Sequence, residues 1–386
     1  MNNLLIKLQR RATITVALLC SINFASSTQR GEFESRYLWV VRNTLTSKSN
    51  IDEMLQFATI NRFNHILVQV RGRGDAYYNS ELVPKSNLIK DNNFDPLSYI
   101  IKEAKEKGIN VHAWVNTYIL WSSRVKPLQK DHILYTNSNW IDQNKSKQID
   151  ISSEIKKFNG GKNGLEGFYI APNHPEVNSY LLSIFKDLVK NYDLDGLHLD
   201  YVRFHDSEYG QNPSAIAYYK NYFGINPSSS SNLDLSNNSQ WEDFKRKSVT
   251  DLVRETKNMI QLEKPNLILS AAVKPNLYQA RQRFYQEWDV WLAAGYLDKA
   301  IVMNYAKNLK DFAANIDIMY DNLPSKYRKK IVMGIATYNQ SPDKVVDKIK
   351  YTRVTRFSAV SFFSYTVMNK NPLYFESIKK SLYPRD

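Results

Sequence analysis

The stretch Leu194–Tyr201, which reads LDGLHLDY, is the part of this sequence that most clearly indicates the fold. It is short and apolar and follows a segment with helical spacing, as expected for a strand of a parallel sheet that is buried on both faces. Side chains alternate along a strand, so Leu197 and Leu199 are expected to face helices while His198 and Asp200 face inward. Asp200 lies where the apolar run ends, and a carboxylate there can reach a ligand.

Strand-like and helical segments alternate on both sides of this stretch. The predicted strands are Tyr37–Arg42, His65–Val70, Val111–Asn116, Leu194–Tyr201, Leu267–Val273, Ala300–Tyr305, Ile331–Ala336 and Ala359–Tyr365. The predicted helical segments are Ile51–Asn61, Pro96–Lys107, Pro175–Asn191, Trp241–Leu262, Glu287–Ala294, Asp311–Leu323, Ser341–Arg353 and a last one that ends near Leu382.

This alternation is typical of a closed (β/α)8 barrel, the TIM barrel, within the α/β class. An open, doubly wound sheet is the competing fold, and the lack of a glycine-rich phosphate motif after the first strand weighs against it. Two long irregular segments, 121–170 and 205–240, follow the third and fourth strands. We interpret them as insertions that form lids or substrate walls, or as tolerated surface insertions. The prediction is a single TIM-barrel domain over residues 28–386.

The N-terminal segment has the layout of a secretory signal peptide. Lys7, Arg10 and Arg11 precede a largely apolar run over residues 12–25, and small residues follow at Ala25–Ser27. We therefore predict a signal peptide over residues 1–27 and export to the periplasm or the medium, with no stable membrane insertion after cleavage. The apolar run is short for a membrane span, which needs roughly 20 residues, although an uncleaved anchor is the alternative. The single cysteine, Cys20, lies in this segment and excludes an internal disulfide.

The charge balance favours an anionic partner. Lys and Arg number 52 against 38 Asp and Glu, giving a formal charge of +14. The excess is spread along the chain without a basic run or a zinc-finger spacing, so nucleic acid is not the predicted partner. The sequence also lacks the HExxH and GxSxG motifs, and we predict neither a metal nor another cofactor. A site formed by His198, Asp200 and His205 is the weaker, metal-binding alternative.

Polar side chains cluster at the ends of the predicted strands. Buried polar groups cost roughly 1–3 kcal/mol each when unsatisfied, so this convergence favours a ligand site at one end of the barrel. The candidates are Arg71, Asp75, His112, Trp114, Asn116, His198, Asp200, Arg203, Lys274, Asn304 and Tyr305. Structural alternatives remain: His198 as an interior histidine, Arg71 as an ion-pair partner of Asp75 or Asp200, and Trp114 as barrel filling.

Four motifs resemble a known family. DGLHLDYVRF (195–204), QVRGRGDAYYNSELVP (69–84), DPLSYIIKEAKEKGINVHAWVNTY (95–118) and YIAPNHPEVNSYL (169–181) resemble bacterial family 10-like glycoside hydrolases. The resemblance runs from Arg36 to Ser364. It implies an exported TIM barrel linked to cell-envelope glycan degradation, with Asp200 as a catalytic carboxylate. Arg71, Asp75, His112, Trp114 and Asn116 fall on matching motif positions and would line the sugar site.

The sequence departs from related patterns at two positions. Tyr201 follows Asp200 where related members often carry a second acid, and Val202 stands where a chitinase-like pattern has Glu. Glycosidic cleavage usually needs two carboxyl groups. The hypotheses for the second are Asp75 and Asp289, with Glu208 and Glu287 as lesser candidates.

The functional prediction is a glycoside hydrolase acting on a cell-envelope polysaccharide, with peptidoglycan glycan strands as the first candidate substrate. The alternatives are a sugar-binding barrel without catalysis and, more weakly, a metal-dependent deacetylase-like enzyme.

Overall fold

Parallel strands close into a barrel in the computed structural model, which describes residues 31–144, 166–224 and 239–384. The barrel strands are β1 (Ser35–Val40), β2 (His65–Arg71), β3 (Asn110–Asn116), β6 (Gly196–Asp200), β7 (Ile268–Val273), β8 (Lys299–Val302), β9 (Ile331–Ala336) and β10 (Ala359–Phe363). They follow one another around the barrel in chain order, and β10 pairs with β1. The predicted TIM barrel is confirmed, and the open sheet is excluded because the barrel has closed.

Helices surround the barrel. They are α1 (Lys48–Ile60), α2 (Pro96–Glu106), α3 (Ile133–Thr136), α4 (Val177–Asn191), α5 (Pro213–Tyr222), α6 (Ser239–Glu263), α7 (Leu277–Phe284), α8 (Trp288–Ala293), α9 (Leu309–Asn322), α10 (Pro342–Val354), α11 (Tyr365–Lys370) and α12 (Pro372–Leu382). Strands β4 (Ile119–Trp121) and β5 (Phe168–Tyr169) form a separate antiparallel pair between β3 and α4.

The alternation of side chains along the strands separates two apolar layers. Leu197 and Leu199 of β6 belong to the large core between the barrel and the helices. A smaller cluster that includes Trp39, Leu67 and Trp114 fills the barrel itself. Residues of the same parity therefore point into the barrel from neighbouring strands, as the sequence pattern predicted.

The register between β3 and β6 sets the height of the candidate residues. Trp114 pairs with His198, and Asn116 pairs with Asp200 at the carboxyl ends of the two strands. Helix α2 ends just before β3, and Gly108 follows it with φ 64°, a conformation that glycine adopts without a steric penalty. The chain can then turn directly into β3.

The structure differs from the predictions at several element ends. The sixth barrel strand stops at Val302 rather than Tyr305, because the backbone N–H groups of Asn304 and Tyr305 donate to the nearby carbonyls of Val302 and Met303 instead of to a neighbouring strand. Helix α5 lies in the segment predicted to be irregular; Asn212 caps it, and Pro213 occupies its first turn. Helix α7 was also missed.

The two long segments after β3 and β6 are described only in part, so their status as insertions stays a prediction. Residues 145–165 and 225–238 lie outside the described residues, as does the predicted signal peptide. No helix within 31–144, 166–224 and 239–384 is long and apolar enough to cross a membrane.

Candidate active site

A cavity of about 660 Å³ opens at the carboxyl ends of the barrel strands, where TIM-barrel enzymes place their chemistry. Seven of the lining residues are Trp39 and Trp114 from inside the barrel, Asp200, Arg203, Lys274 and Tyr305 from strand ends and the loops after them, and Glu166 from the segment before β5. Six of the predicted site residues lie together in the lining of this cavity: Asp200, Trp114, Asn116, Arg203, Lys274 and Tyr305.

Asp200 lies at the end of β6 and is 6% exposed. Its Oδ2 accepts a hydrogen bond from Nε1 of Trp114 at 3.1 Å, and its Oδ1 accepts one from the backbone N–H of Tyr201 at 2.8 Å. Burial raises the pKa of Asp200 to about 6, although the two hydrogen bonds and the charge of Arg203 oppose the increase. The group is therefore protonated in weakly acidic solution and can donate a proton.

Glu166 provides the second carboxylate of the cavity. Its Oε2 lies 2.7 Å from Nη2 of Arg203 and accepts a hydrogen bond from the Tyr169 hydroxyl at 2.6 Å. Burial raises its pKa, but the cations Arg203 and Lys274 and these hydrogen bonds outweigh burial and lower the pKa of Glu166 to about 2. Glu166 is thus an anion throughout the range in which Asp200 titrates.

Sequence reasoning missed Glu166 because it lies in a segment predicted to be irregular. The antiparallel pairing of β5 with β4 returns the chain across the barrel mouth and brings Glu166 to the cavity. Gly167 makes this approach possible: at its φ of 157°, an added Cβ would lie 2.5 Å from the carbonyl oxygen of Trp121. A glycine directly after an acid, just before the YIAPNHP motif, was the available sequence signal.

Two carboxyl groups with opposite pKa shifts share this cavity. Such a pair is how one site runs acid and base chemistry at the same pH. The negative charge of Glu166 is one of the causes that raise the pKa of Asp200. The arrangement can supply a proton from Asp200 and a negative charge from Glu166.

Two further cations line the cavity. Burial, followed by the charge of Arg203, lowers the pKa of Lys274 to about 8, although Glu166 and Asp200 oppose the decrease. Arg42 donates through Nη1 to Oε1 of Gln69 at 2.9 Å. Among the ion pairs of the described residues, neither Lys274 nor Arg42 has an acidic partner within 4.0 Å. The cavity therefore offers positive charge to a ligand.

A hydrogen-bond network fixes the indole beside Asp200. Oδ1 of Asn116 accepts from Nε1 of Trp114 at 3.1 Å and from Nε2 of Gln69 at 3.2 Å. Nδ2 of Asn116 donates to the carbonyl of Gly72 at 2.7 Å, so this amide has one orientation. Asn116 thus positions Trp114, which in turn holds Asp200.

Aromatic rings form a second wall. Phe363 lies 5.7 Å from Trp39, 5.8 Å from Tyr305 and 5.9 Å from Tyr338, measured between ring centroids. Trp39 packs edge-on against Trp114 at 4.8 Å. Flat aromatic faces next to hydrogen-bonding groups are well suited to sugar rings, which have apolar faces and polar edges.

The structure does not bring the two predicted histidines to the cavity. His198 and His112 are fully buried below it; Nδ1 of His198 lies 2.9 Å from Oγ of Ser270, and Nε2 of His112 lies 3.0 Å from Nδ1 of His65. Burial lowers the pKa of His198 to about 3 and that of His112 well below its usual value. Both are neutral interior groups, which matches the structural alternative for His198.

Four other predicted residues lie outside the cavity lining. Arg71 is fully buried at the end of β2, where Nη1 donates to the carbonyls of Asn116 and Thr117. Asp75 accepts from the N–H of Arg73 and closes the turn after β2. Asn304 holds Asn315, itself a lining residue, through a 2.9 Å hydrogen bond. Asp289 lies in the first turn of α8, in the helix layer.

Within the described parts of the chain, no group of three or more His, Cys, Asp or Glu side chains is arranged to hold a metal ion. The alternative metal site of His198, Asp200 and His205 is therefore not formed by these side chains in the described residues. His205 instead packs against Tyr169 and Tyr209, with ring centroids 5.3 Å and 4.7 Å away.

The chain is similar to several known proteins. It is 24% identical to glycosyl hydrolase YngK of Bacillus subtilis (strain 168), over 83% of this chain and 64% of that protein. It is 25% identical to glycosyl hydrolase DigH of Escherichia coli (strain K12), over 73% of this chain and 64% of that protein. The chain thus spans about 64% of the length of these curated relatives.

Solved structures share the fold. The glycoside hydrolase domain of PgaB (BpsB) from Bordetella bronchiseptica superposes with a TM-score of 0.67 at 13% identity, covering 91% of this chain and 99% of that one. Alpha-L-fucosidase isoenzyme 2 from Paenibacillus thiaminolyticus superposes with a TM-score of 0.60 at 14% identity. The superposition covers 90% of this chain and 49% of the fucosidase chain.

A family model for glycosyl hydrolase-like 10 proteins matches residues 34–356, which include every barrel strand except β10. The match covers most of the chain, and the resemblance in the four motifs is confirmed. The chain belongs to the glycosyl hydrolase-like 10 family.

Proposed function

We propose that this protein is a glycoside hydrolase that acts on a cell-envelope polysaccharide, with the glycan strands of peptidoglycan as the first candidate substrate. The observation that carries the proposal is the pair of carboxyl groups, Asp200 and Glu166, with opposite pKa shifts in one cavity. Membership in the glycosyl hydrolase-like 10 family supports it. The relatives YngK and DigH are also named glycosyl hydrolases.

In the proposed reaction, Asp200 acts as the general acid. Its proton passes to the glycosidic oxygen while the bond between that oxygen and the anomeric carbon breaks. Glu166 stays negatively charged and either attacks the anomeric carbon or removes a proton from the attacking water. Water supplies the hydroxyl group of the new reducing end. If Glu166 attacks the anomeric carbon, Asp200 removes a proton from this water, which breaks the bond between the sugar and Glu166 and leaves Asp200 protonated again. If Glu166 instead takes the proton from the water, it releases that proton to solvent, and Asp200 regains one from solvent.

Arg203 is the positioning residue for the anion. It is 2% exposed and forms a charge-assisted hydrogen bond with Glu166, and its guanidinium lies 5.2 Å from the centroid of the Tyr201 ring. The hydrogen bond from Arg203 holds the Glu166 carboxylate in place. Lys274 adds a cation near both carboxyl groups, which favours negative charge on Glu166.

An anionic glycan fits the charge of the site and of the chain. Arg42 and Lys274 line the cavity without an acidic partner among the described residues, and the formal charge of the chain is +14. Positive cavities attract anionic substrates and raise their local concentration. Denuded or acidic envelope glycans meet this requirement better than neutral glucans do.

Export is part of the proposal. The signal-like layout of residues 1–27 would deliver the barrel to the compartment in which envelope glycans lie, the periplasm or the medium. A polysaccharide is thus the proposed partner, rather than nucleic acid or a lipid bilayer.

The test is incubation of the purified protein with isolated cell-wall glycan, both intact and stripped of its peptides, followed by mass analysis of the products. We expect shorter glycan fragments with new reducing ends, and none with Asp200→Asn. Glycan binding without fragments from any preparation would overturn the proposal in favour of a sugar-binding barrel.

A further inference from the structure

Lys348 is a buried lysine that the proposed reaction does not use. It lies on α10, its side chain is 0% exposed, and it is absent from the lining of the active-site cavity. Its Nζ donates to the carbonyl of Ala306 at 2.6 Å, to the carbonyl of Lys307 at 3.3 Å and to Oε1 of Gln340. The three N–H groups of a lysine ammonium thus have three acceptors.

The charge of Lys348 does not serve an ion pair. Among the ion pairs of the described residues, Lys348 has no carboxylate partner within 4.0 Å. Taking a charge out of water is costly, and an apolar side chain of similar length would fill the same space without that cost. What distinguishes lysine from such a side chain at this position is its set of three donors.

The acceptors of Lys348 lie in the loops that follow two neighbouring barrel strands. The two carbonyls belong to the loop after β8, and Gln340 belongs to the loop after β9. Gln340 is itself anchored, because its Nε2 donates to the carbonyl of Ala336 at the end of β9 and its carbonyl accepts from the hydroxyl of Tyr374 at 3.0 Å. Lys348 therefore ties the loop after β8 to a fixed point in the loop after β9.

The same two loops carry two rings of the cavity wall. Tyr305, next to Ala306, and Tyr338, two residues before Gln340, both line the cavity. Their ring centroids lie 6.3 Å apart with the ring planes at 87°, and each ring also packs against Phe363. Tyr338 is 53% exposed, so its place depends on the conformation of its loop as well as on packing.

We infer that Lys348 is a positioning residue for substrate binding, which fixes the loops after β8 and β9 so that Tyr305 and Tyr338 keep their places in the wall that receives a sugar ring. The inference rests on the proposed function, because it takes a glycan as the substrate. It deepens that function, since it assigns part of the affinity for the glycan to a side chain outside the cavity.

The two carboxyl groups are held by other contacts. Asp200 accepts from Nε1 of Trp114, and Glu166 pairs with Arg203. None of these four residues bonds to Lys348, whose acceptors all lie in the loops after β8 and β9. Loss of the Lys348 ammonium should therefore weaken glycan binding more than it slows cleavage of the glycosidic bond.

Lys348→Met tests the inference, because it keeps the length of the side chain and removes the three donors. With peptide-stripped cell-wall glycan as the substrate, we expect KM to rise roughly 5–20-fold and kcat to stay within about threefold. Lys350→Met, which changes an exposed lysine on the same helix, is the matched control and should leave KM and kcat within about twofold.

Gln340→Met removes the acceptor at the other end of the tie and should also raise KM. Because the two side chains act through one contact, the rise in the double variant should be well below the product of the two single rises. Gln340→Met also keeps the test decisive if Lys348→Met does not fold.

Hydrogen exchange of the full chain provides a readout that needs no substrate. In Lys348→Met, the backbone amides of residues 303–308 and 337–341 should exchange about tenfold faster, whereas those of the loop after β6, residues 201–210, should keep the rate of the unmodified protein. Unchanged exchange in the first two loops, or a KM within twofold of the unmodified protein, would overturn the inference. Absence of any glycan cleavage by the unmodified protein would instead overturn the proposed function, so the two failures are distinguishable.

Discussion

The lower interior of the barrel and its mouth both carry polar side chains on inward-facing strand positions, yet they behave in opposite ways. Below, His65, His112 and His198 are buried, paired with one another or with Ser270, and held neutral. At the mouth, Asp200 and Glu166 face a cavity of about 660 Å³ together with cations. All of these side chains come from inward-facing positions or lie at the mouth of the barrel. What distinguishes the candidate catalytic groups from the structural ones is therefore how near they lie to the carboxyl ends of the strands.

Because of this difference, activity and fold stability should depend on pH in opposite directions. At the mouth, the proposed acid works while Asp200 is protonated, below a pKa of about 6. In the lower interior, burial first, and then the charges of Lys299 and Arg36, lower the pKa of His65 to about 4. Acid solution therefore favours the reaction but penalises the fold, and the two regions together restrict the working range to weakly acidic conditions.

The largest expected effect is that of Asp200→Asn at the mouth. The amide keeps the shape and can still accept from Trp114, but it cannot donate an acidic proton. We expect the hydrolysis rate to fall roughly 10²–10⁴-fold. The melting temperature at pH 7.5 should not fall, because the substitution removes a carboxylate that burial makes costly to ionise.

The matched substitution in the lower interior is His198→Asn. It should leave the activity per folded molecule within about threefold, since His198 does not line the cavity. Two results would contradict the distinction between a catalytic mouth and a structural lower interior. One is an undiminished hydrolysis rate in Asp200→Asn, and the other is an equal loss of activity in Asp200→Asn and His198→Asn.

Glu166→Gln should give the next largest loss of activity. Glutamine can still accept from Tyr169 and Arg203, but it brings no negative charge to the anomeric centre. We expect a decrease of about 10²–10³-fold in kcat, measured on the same glycan. Activity within twofold of the unmodified protein would mean that Glu166 serves only as the ion-pair partner of Arg203.

The stability of the fold should decrease steeply in acid. The buried histidines have lowered pKa values in the folded state, so the unfolded chain binds protons first as the pH falls below 6.5. Each such histidine then costs about 1.4 kcal/mol per pH unit, down to about pH 4 for His65 and about pH 3 for His198.

Denaturant unfolding at several pH values measures this slope. His198→Asn removes one titrating group and should make the slope shallower. A stability that is flat between pH 6.5 and 4 would contradict the assignment of a neutral lower interior.

The activity profile should have an alkaline limb that belongs to Asp200. Because the pKa of this group is raised to about 6, kcat/KM should fall about tenfold per pH unit above that value. The residual activity of Glu166→Gln should keep the limb but shift it to lower pH, since the charge of Glu166 helps to raise the pKa of Asp200. A limb that stays at the same pH in Glu166→Gln would indicate that the two carboxyl groups do not interact.

The smallest expected effect is that of Asp289→Asn. Asp289 lies in the first turn of α8, away from the cavity lining, so we expect activity within twofold and a melting temperature within about 2 °C of the unmodified protein. A loss above tenfold would restore Asp289 as a catalytic candidate and weaken the assignment of Glu166.

Much of the candidate site could be predicted from the sequence, because it depends on local periodicity. Alternation along Leu194–Tyr201 determines that Asp200 faces inward at the end of a strand, and the order of strands and helices determines the barrel. Trp114 and Asn116 follow from the same alternation in the neighbouring strand.

Only the tertiary structure decided which polar groups share the cavity. Arg71 follows a register irregularity between β2 and β3 and is absent from the cavity lining, an outcome that a strict alternation of side chains does not predict. Glu166 reaches Arg203 through the pairing of two short strands far apart in the chain. The sequence by itself determined the barrel and the place of Asp200, because both rest on short-range patterns; long-range pairing decided the partner of Asp200, because contacts between distant segments leave no period in the sequence.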